Sequence, residues 1–252
     1  MDHKEYIRKT ESKTAVLMIH GILGTPRHFD CLISAFPQEW NIYNILLDGH
    51  GGTVEEFSNT SMKKWERQVD EQICELCKLY DDLIILAHSM GTLLSMSSYL
   101  KKPKKIKAMI LLDVPLKMHV MPKAVLNSMK VILDIVDPDN FEETSTKNAC
   151  SISTTKMVWK YLGWIPRYLE LFELSDRIGR NIYKITVPCF AFQSRYDELV
   201  SLGSLSCLKR NPAIKIKMLW NSGHFAYREQ DIKILRKEIK TIYKSVFREG
   251  KL

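Results

Sequence analysis

A serine stands where a strand-like run meets a helix-like one. The segment LIILAHSMGT (83–92) ends an apolar, β-rich stretch in Ala87-His88-Ser89-Met90-Gly91 and passes at once into a helical pattern. These five residues match the G-x-S-x-G nucleophile elbow, with Ala87 in the first place. The demand there is steric. The chain must turn sharply and hold the serine in a strained conformation, and large side chains two residues to either side would clash with the turn. Ser89 Oγ would then stand above the sheet at the start of a helix whose dipole favours developing negative charge. The chemistry served is nucleophilic attack on a carbonyl.

A serine hydroxyl needs a base, and His224 in Trp220-Asn221-Ser222-Gly223-His224-Phe225 follows the last strand-like run. A loop there can bring an imidazole over the carboxyl edge of a sheet. The base needs an acid to fix its tautomer and stabilise the imidazolium. Asp197, in Gln193-Ser194-Arg195-Tyr196-Asp197-Glu198, follows the preceding strand-like run. Glu198 is its rival, but Asp197 lies nearer the strand end and its shorter arm suits a tight loop. The oxyanion formed by attack needs donors. One is the backbone N–H of Met90, directly after the serine. The other is the N–H of Ile22, in VLMIHGILGTP (16–26), where Gly21 and Gly24 let the loop bend toward the site. Each such donor is worth roughly 3 kcal/mol in the transition state.

The elements that would position these residues alternate along the chain. Strand-like runs fall at 14–21, 41–49, 83–89, 106–113, 187–194 and 214–220. Several are apolar on both faces, as parallel strands covered on both sides are. Helical patterns occupy 61–80, 90–102 and 226–248, the second ending in the stop signal Lys101-Lys102-Pro103. Such alternation predicts a doubly wound α/β domain. From about Val114 to about Arg180 no clear strand appears. The stretch is rich in Met and aromatic residues, among them Met118, Met129, Trp159, Trp164 and Phe172, and reads as a helical insertion.

Together these residues resemble the α/β-hydrolase superfamily, in its small carboxylesterase and monoacylglycerol-lipase-like branch. The resemblance rests on His20-Gly21-Ile22 after an early strand, Asp48-Gly49-His50-Gly51-Gly52 after the next, the elbow, the late Asp197 and the late Gly223-His224. It implies an α/β-hydrolase fold, with a mostly parallel central sheet, helices on both faces and a small helical cap. The core would comprise 1–114 and 171–252, and the cap, over an acyl pocket, 115–170. It implies Ser89, Asp197 and His224 as a catalytic triad in the chain order this fold uses, with Ile22 and Met90 as oxyanion donors. The activity implied is that of a serine carboxylic-ester hydrolase acting on short-to-medium acyl esters or monoacylglycerols. Thioesterase, acyltransferase and carbon–carbon bond hydrolase chemistry use the same triad, and a ligand receptor of low turnover is a further alternative.

The other histidines have structural readings. His20 would hold the oxyanion loop from beneath, and His88 would face away from Ser89 by strand alternation. His50 would brace the glycine-rich loop, while His3, His28 and His119 have no evident partner. DGHGG lacks the spacing of a phosphate-binding loop. No His/Cys/Asp/Glu group has metal-ligand spacing, so neither metal nor cofactor is expected.

The chain has 252 residues, 45% hydrophobic and 26% charged, which excludes a disordered or collagen-like chain. The N-terminus lacks the apolar run of a signal peptide, and no stretch approaches the ~18 apolar residues of a membrane span. The six cysteines are scattered. The pair Cys74 and Cys77 lies in an amphipathic helix with no second pair, so reduced thiols in a cytoplasmic protein are expected. The net charge of +8, from 37 basic and 29 acidic residues, raises nucleic-acid binding. No helix-turn-helix, zinc-finger or RNP pattern supports it. The basic residues lie at a helix–strand junction (Lys101, Lys102, Lys104, Lys105, Lys107) and on the C-terminal helix (Lys233, Arg236, Lys237, Lys240, Lys244), as on a solvated surface, with weak contact to an anionic lipid interface as the most it implies.

Overall fold

The computed structural model describes residues 3–101 and 105–248. Seven strands form one sheet: β1 (Tyr6–Arg8), β2 (Thr14–Ile19), β3 (Asn41–Ile45), β4 (Asp82–His88), β5 (Ile106–Leu112), β6 (Cys189–Ser194) and β7 (Ile214–Leu219). Their order is β1-β3-β2-β4-β5-β6-β7. Every pairing is parallel except β1 with β3. The six expected strands are all present: β4 has the length of its apolar run, shifted by one residue, and each of the others is one to four residues shorter. β1 is additional: three residues, mostly exposed, are too few to show an alternation.

Nine α-helices lie among the described residues. The first four are α1 (Asp30–Ile33), α2 (Val54–Ser58), α3 (Met62–Leu79) and α4 (Met90–Leu100). The rest are α5 (Pro122–Leu133), α6 (Phe141–Ala149), α7 (Ile165–Asn181), α8 (Ser204–Leu208) and α9 (Glu229–Arg248). Of the expected stop after α4, Lys102 and Pro103 lie outside the described residues, as does Lys104.

Side-chain alternation along the strands divides the core into two layers. On one face Leu17, Ile19, Leu83 and Ile85 pack with Trp65 and Ile73 of α3, Leu93 of α4, and Leu174 and Ile178 of α7. On the other, Met18, Ile84 and Leu86 meet Phe29, Leu32 of α1, and Leu235, Ile239 and Ile242 of α9. Both faces of the sheet are thus covered, which is why its strands read as apolar runs rather than alternating ones.

The chain passes from β2 to β3 on one side of β2, then crosses to β4 on the other. The winding therefore reverses between β2 and β4. In open α/β sheets, the crevice beyond the carboxyl ends of the strands at such a switch point is where ligands bind. Here those ends carry Gly21-Ile22 and Ser89.

Between β5 and β6 the chain forms α5, α6, a 3-10 segment (Val158–Trp164) and α7. Much of its apolar surface faces outward: Val125, Met129, Trp159, Leu162 and Leu169 are all exposed. Helix α7 is continuous from Ile165 to Asn181, so residue 170 falls inside it. Its N-terminal part bears exposed Ile165 and Leu169, and its later turns bury Leu171, Leu174 and Ile178 against the sheet.

Candidate active site

Ser89 occupies the tip of the turn from β4 to α4 with φ 51° and ψ −123°. A non-glycine residue held at positive φ outside the helical region costs on the order of 1–3 kcal/mol, and surrounding structure must enforce it. The enforcement is visible. Ser89 N–H donates to the Leu112 carbonyl of β5 at 2.9 Å, and Thr92 N–H and Oγ1 both return to the Ser89 carbonyl, at 2.9 and 2.6 Å. Gly91 lies so close to β2 that a Cβ there would stand 2.2 Å from the Ile19 carbonyl oxygen. Glycine at that place is a packing requirement of the elbow.

His224 Nε2 lies 3.1 Å from Ser89 Oγ, and its Nδ1 lies 2.8 Å from Asp197 Oδ2. The other carboxylate oxygen, Oδ1, accepts the backbone N–H groups of Leu199 and Val200 at 2.8 and 2.7 Å. Asp197 is therefore fixed by its own loop and faces the imidazole with a single oxygen. All three side chains are buried. Glu198, the rival acid, does different work: its Oε2 accepts the backbone N–H of His224 at 3.0 Å. Burial opposes a charge on His224. Asp197, by charge and hydrogen bond, together with Asp113 and Glu198, outweighs it and raises the imidazole pKa above its ordinary 6.5.

The remaining two predicted positions flank the serine. Met90 is the first residue of α4. Ile22 follows Gly21, which packs on Ser89. His20 Nδ1–H donates to the Gly21 carbonyl at 2.8 Å, and Gly24 N–H reaches the same oxygen at 3.0 Å. In a trans peptide the following N–H points the opposite way, so these bonds turn the Ile22 N–H away from the interior of its own loop. Among the described residues, neither the Ile22 nor the Met90 N–H donates to a backbone carbonyl of a turn or loop.

The histidines around the site are scaffold. His20 Nε2 accepts Leu47 N–H at 3.0 Å, so Nδ1 carries the proton, and burial lowers its pKa to about 4. His88 Nε2–H donates to the His224 carbonyl at 3.1 Å. The His28 ring stacks on His88 at 3.9 Å, and burial lowers its pKa to about 3. His50 Nδ1–H reaches the Asp48 carbonyl at 3.2 Å. Three histidines without an evident partner in the sequence do have one. His119 Nε2–H donates to the Asp197 carbonyl at 3.0 Å, His3 Nδ1 lies 3.0 Å from Thr25 Oγ1, and His28 has its stack.

One buried acid at the site escaped the sequence reading. Asp113, directly after β5 and at φ 52°, is wholly buried. It accepts Ser194 N–H at 2.6 Å, Ser194 Oγ–H at 3.0 Å and Tyr227 Oη–H at 2.7 Å. Its signal was present as ILLDVP (110–115), a carboxylate directly ending an apolar strand.

Comparison with known proteins agrees with this architecture. The alpha/beta hydrolase fold family matches residues 14–149, more than half the chain, and the chain belongs to that family. Three solved structures illustrate the likeness. A member of the metagenome-derived lipolytic enzymes LipS and LipT aligns at a TM-score of 0.73 and 18% identity, over 96% of this chain and 98% of that one. A monoglyceride lipase of Saccharomyces cerevisiae aligns at 0.69 and 12%, over 96% and 91%. A lipase-esterase related protein of Clostridium acetobutylicum aligns at 0.64 and 15%, over 96% and 99%. Identities this low carry the fold alone. Comparison with curated protein sequences returns no significant match.

Proposed function

We propose that the protein is a serine carboxylic-ester hydrolase. The observation that carries this reading is the unbroken chain from Ser89 Oγ through His224 to Asp197, at 3.1 and 2.8 Å, on a strained elbow at the switch point of the sheet. Ser89 Oγ attacks the ester carbonyl while His224 Nε2 takes its proton. The tetrahedral oxyanion is held by the N–H groups of Ile22 and Met90, and Asp197 stabilises the imidazolium. His224 then protonates the leaving alcohol. In the second half-reaction it activates the water that frees Ser89 from its acyl group.

The substrates proposed are short-to-medium acyl esters or monoacylglycerols. Residues 115–170 act as a cap whose methionines and aromatic side chains adapt to an apolar acyl chain. The lipase and esterase activities named for the structural neighbours are consistent with this choice. Among the described residues no helix is long and apolar enough to cross a membrane. The six cysteines are unpaired, which supports a reducing, cytoplasmic setting.

The test is hydrolysis of a p-nitrophenyl ester series from acetate to laurate, with acyl thioesters alongside, by the native protein and Ser89→Ala. Fluorophosphonate labelling and peptide mapping accompany it. Label on Ser89 and loss of activity in the variant are expected. Equal activity in the two proteins, or label elsewhere, refutes the mechanism.

A further inference from the structure

The Asp113 carboxylate lies on the strand side of His224. Its oxygen, His88 Nε2 and a ring nitrogen of His224 all lie within 4.8 Å of one another, and Asp113 Oδ2 is 3.9 Å from His88 Nε2. This trio does not form a cation cage. Both His224 nitrogens are engaged, by Asp197 and Ser89, and His88 Nε2–H is given to the His224 carbonyl. What the trio does show is a second buried carboxyl group close to the imidazole, in a place where charge acts strongly. We propose that Asp113 is a positioning residue for His224, a second buried carboxylate that acts with Asp197 to stabilise the protonated ring during acyl transfer.

Three features support this assignment. First, Asp113 ends the strand between β4, which carries Ser89, and β6, which leads to Asp197, so its place relative to both is fixed by the sheet. Second, its backbone is held at positive φ, a cost that a purely space-filling residue would not require. Third, its hydrogen bonds keep it ionisable yet aimed: Ser194 N–H and Oγ–H from β6 and Tyr227 Oη–H from the base loop. The titratable groups facing it are His88 on β4, with His28 stacked behind, and His224, Tyr227 and Asp197 from the loops. Burial and then the charge of Asp197 raise the Asp113 pKa to about 7, against the opposing pull of His224, Tyr227 and Ser194. The attraction between Asp113 and His224 is mutual, and the Asp113 charge is among those that raise the His224 pKa.

The proposal rests on the esterase reading for its catalytic consequence, but its physical content is measurable without turnover. Histidine titration by NMR on 15N-labelled protein, native and Asp113→Asn, reads His224 directly. The variant is isosteric; it removes the charge and replaces one accepting oxygen by an amide NH2, so at least one of the Ser194 and Tyr227 hydrogen bonds goes with it. The His224 pKa is expected to fall by about one unit or more, the range for a charge partner lost at this distance. The acid limb of kcat/KM should move to lower pH by the same amount, with kcat reduced and KM unchanged. An unmoved titration and acid limb, whatever happens to kcat, would reduce Asp113 to a structural role and overturn the proposal.

A second variant leaves Asp113 intact in case its replacement prevents folding. In Asp197→Asn, His224 should still titrate near or above 6.5, because Asp113 remains. A fall to the depressed range of the buried scaffold histidines overturns the proposal equally. Should the native protein hydrolyse no ester, the esterase reading fails, and the titrations still decide the role of Asp113.

Discussion

Gly21 packs directly on the nucleophile candidate: a Cβ built on Gly21 would lie 2.9 Å from the Ser89 Cβ. The loop carrying the Ile22 N–H can approach Ser89 this closely only because no side chain intervenes. Gly21→Ala must push that loop away from the serine, and with it the proposed oxyanion donor. The expected result is a fall in kcat of roughly 10²–10³-fold, the range for losing one such donor, with far-UV circular dichroism unchanged. Steady-state hydrolysis of p-nitrophenyl butyrate checks it. Activity within a fewfold of native would show that Ile22 is not a donor.

The two adjacent acids of the loop after β6 should separate cleanly. Asp197→Asn keeps the shape but loses the charge that orients the His224 ring, and kcat should drop about 10⁴-fold, as when a triad acid is replaced by its amide. Glu198→Gln removes a charge from the bond to the His224 backbone N–H but keeps an acceptor. Its effect should stay near that of one hydrogen bond, about 1 kcal/mol or roughly fivefold. If the ranking were reversed, Glu198 would be the working acid.

The legible part of this site is legible for one physical reason. Ser89 and Asp197 follow apolar runs that both faces of the sheet must bury, and His224 follows the alternating edge strand β7, so the strand ends, and the residues beyond them, show in the sequence. Asp113 follows such a run too. It escaped because a carboxylate after a strand has no steric signature like that of the elbow. Its partners, Ser194 and Tyr227, lie 81 and 114 residues away. The stretch from 114 to 180 resisted reading for the opposite reason. Periodicity locates a helix by the face it buries, and in α5 the apolar Val125, Met129 and Leu133 are exposed while polar Asn127 is buried. Only α7, with Leu171, Leu174 and Ile178 on one face, shows a core-facing pattern there.

The buried histidines make the fold acid-sensitive at mild pH. Burial holds the pKa of His20 at about 4 and of His28 at about 3, and depresses His50 and His88 well below 6.5. For each, the unfolded chain binds a proton more readily than the folded one. Their contribution is complete above pH 6.5 and is lost as pH falls from there toward the folded values. His224 has the opposite sign. Its raised pKa adds stability that is complete below 6.5 and lost only as pH rises through the folded value, so it stays constant over the acid range. Asp113, its pKa raised to about 7 by burial, has the same sign as His224 and gains stability as pH falls from 7 toward its ordinary 3.8, so four groups against this one leave a net fall. The melting temperature should therefore decline steadily from pH 7 to pH 4.5, before most carboxylates titrate. A flat profile over that interval would mean these rings are not held neutral.

One guanidinium in the segment proposed as a cap makes several bonds to the core at once. Arg167 Nη1–H donates to the carbonyls of Ser58, at 2.9 Å, and Thr60, while its Nε–H and Nη2–H grip Glu170 at 3.1 and 2.9 Å. Glu170 in turn accepts the Met62 N–H at 2.8 Å, at the start of α3. A planar fork serving two carbonyls and a carboxylate at once cannot be copied by an ammonium. Arg167→Lys should therefore cost nearly as much as Arg167→Ala. The side chain is largely buried, so the loss expected from its unsatisfied partners is about 2 kcal/mol, read by urea denaturation. Because the bond holds the base of α7 and not the Ser89 elbow, fluorophosphonate labelling of the folded variant should remain at Ser89. A lysine variant as stable as native would show that the fork geometry contributes nothing.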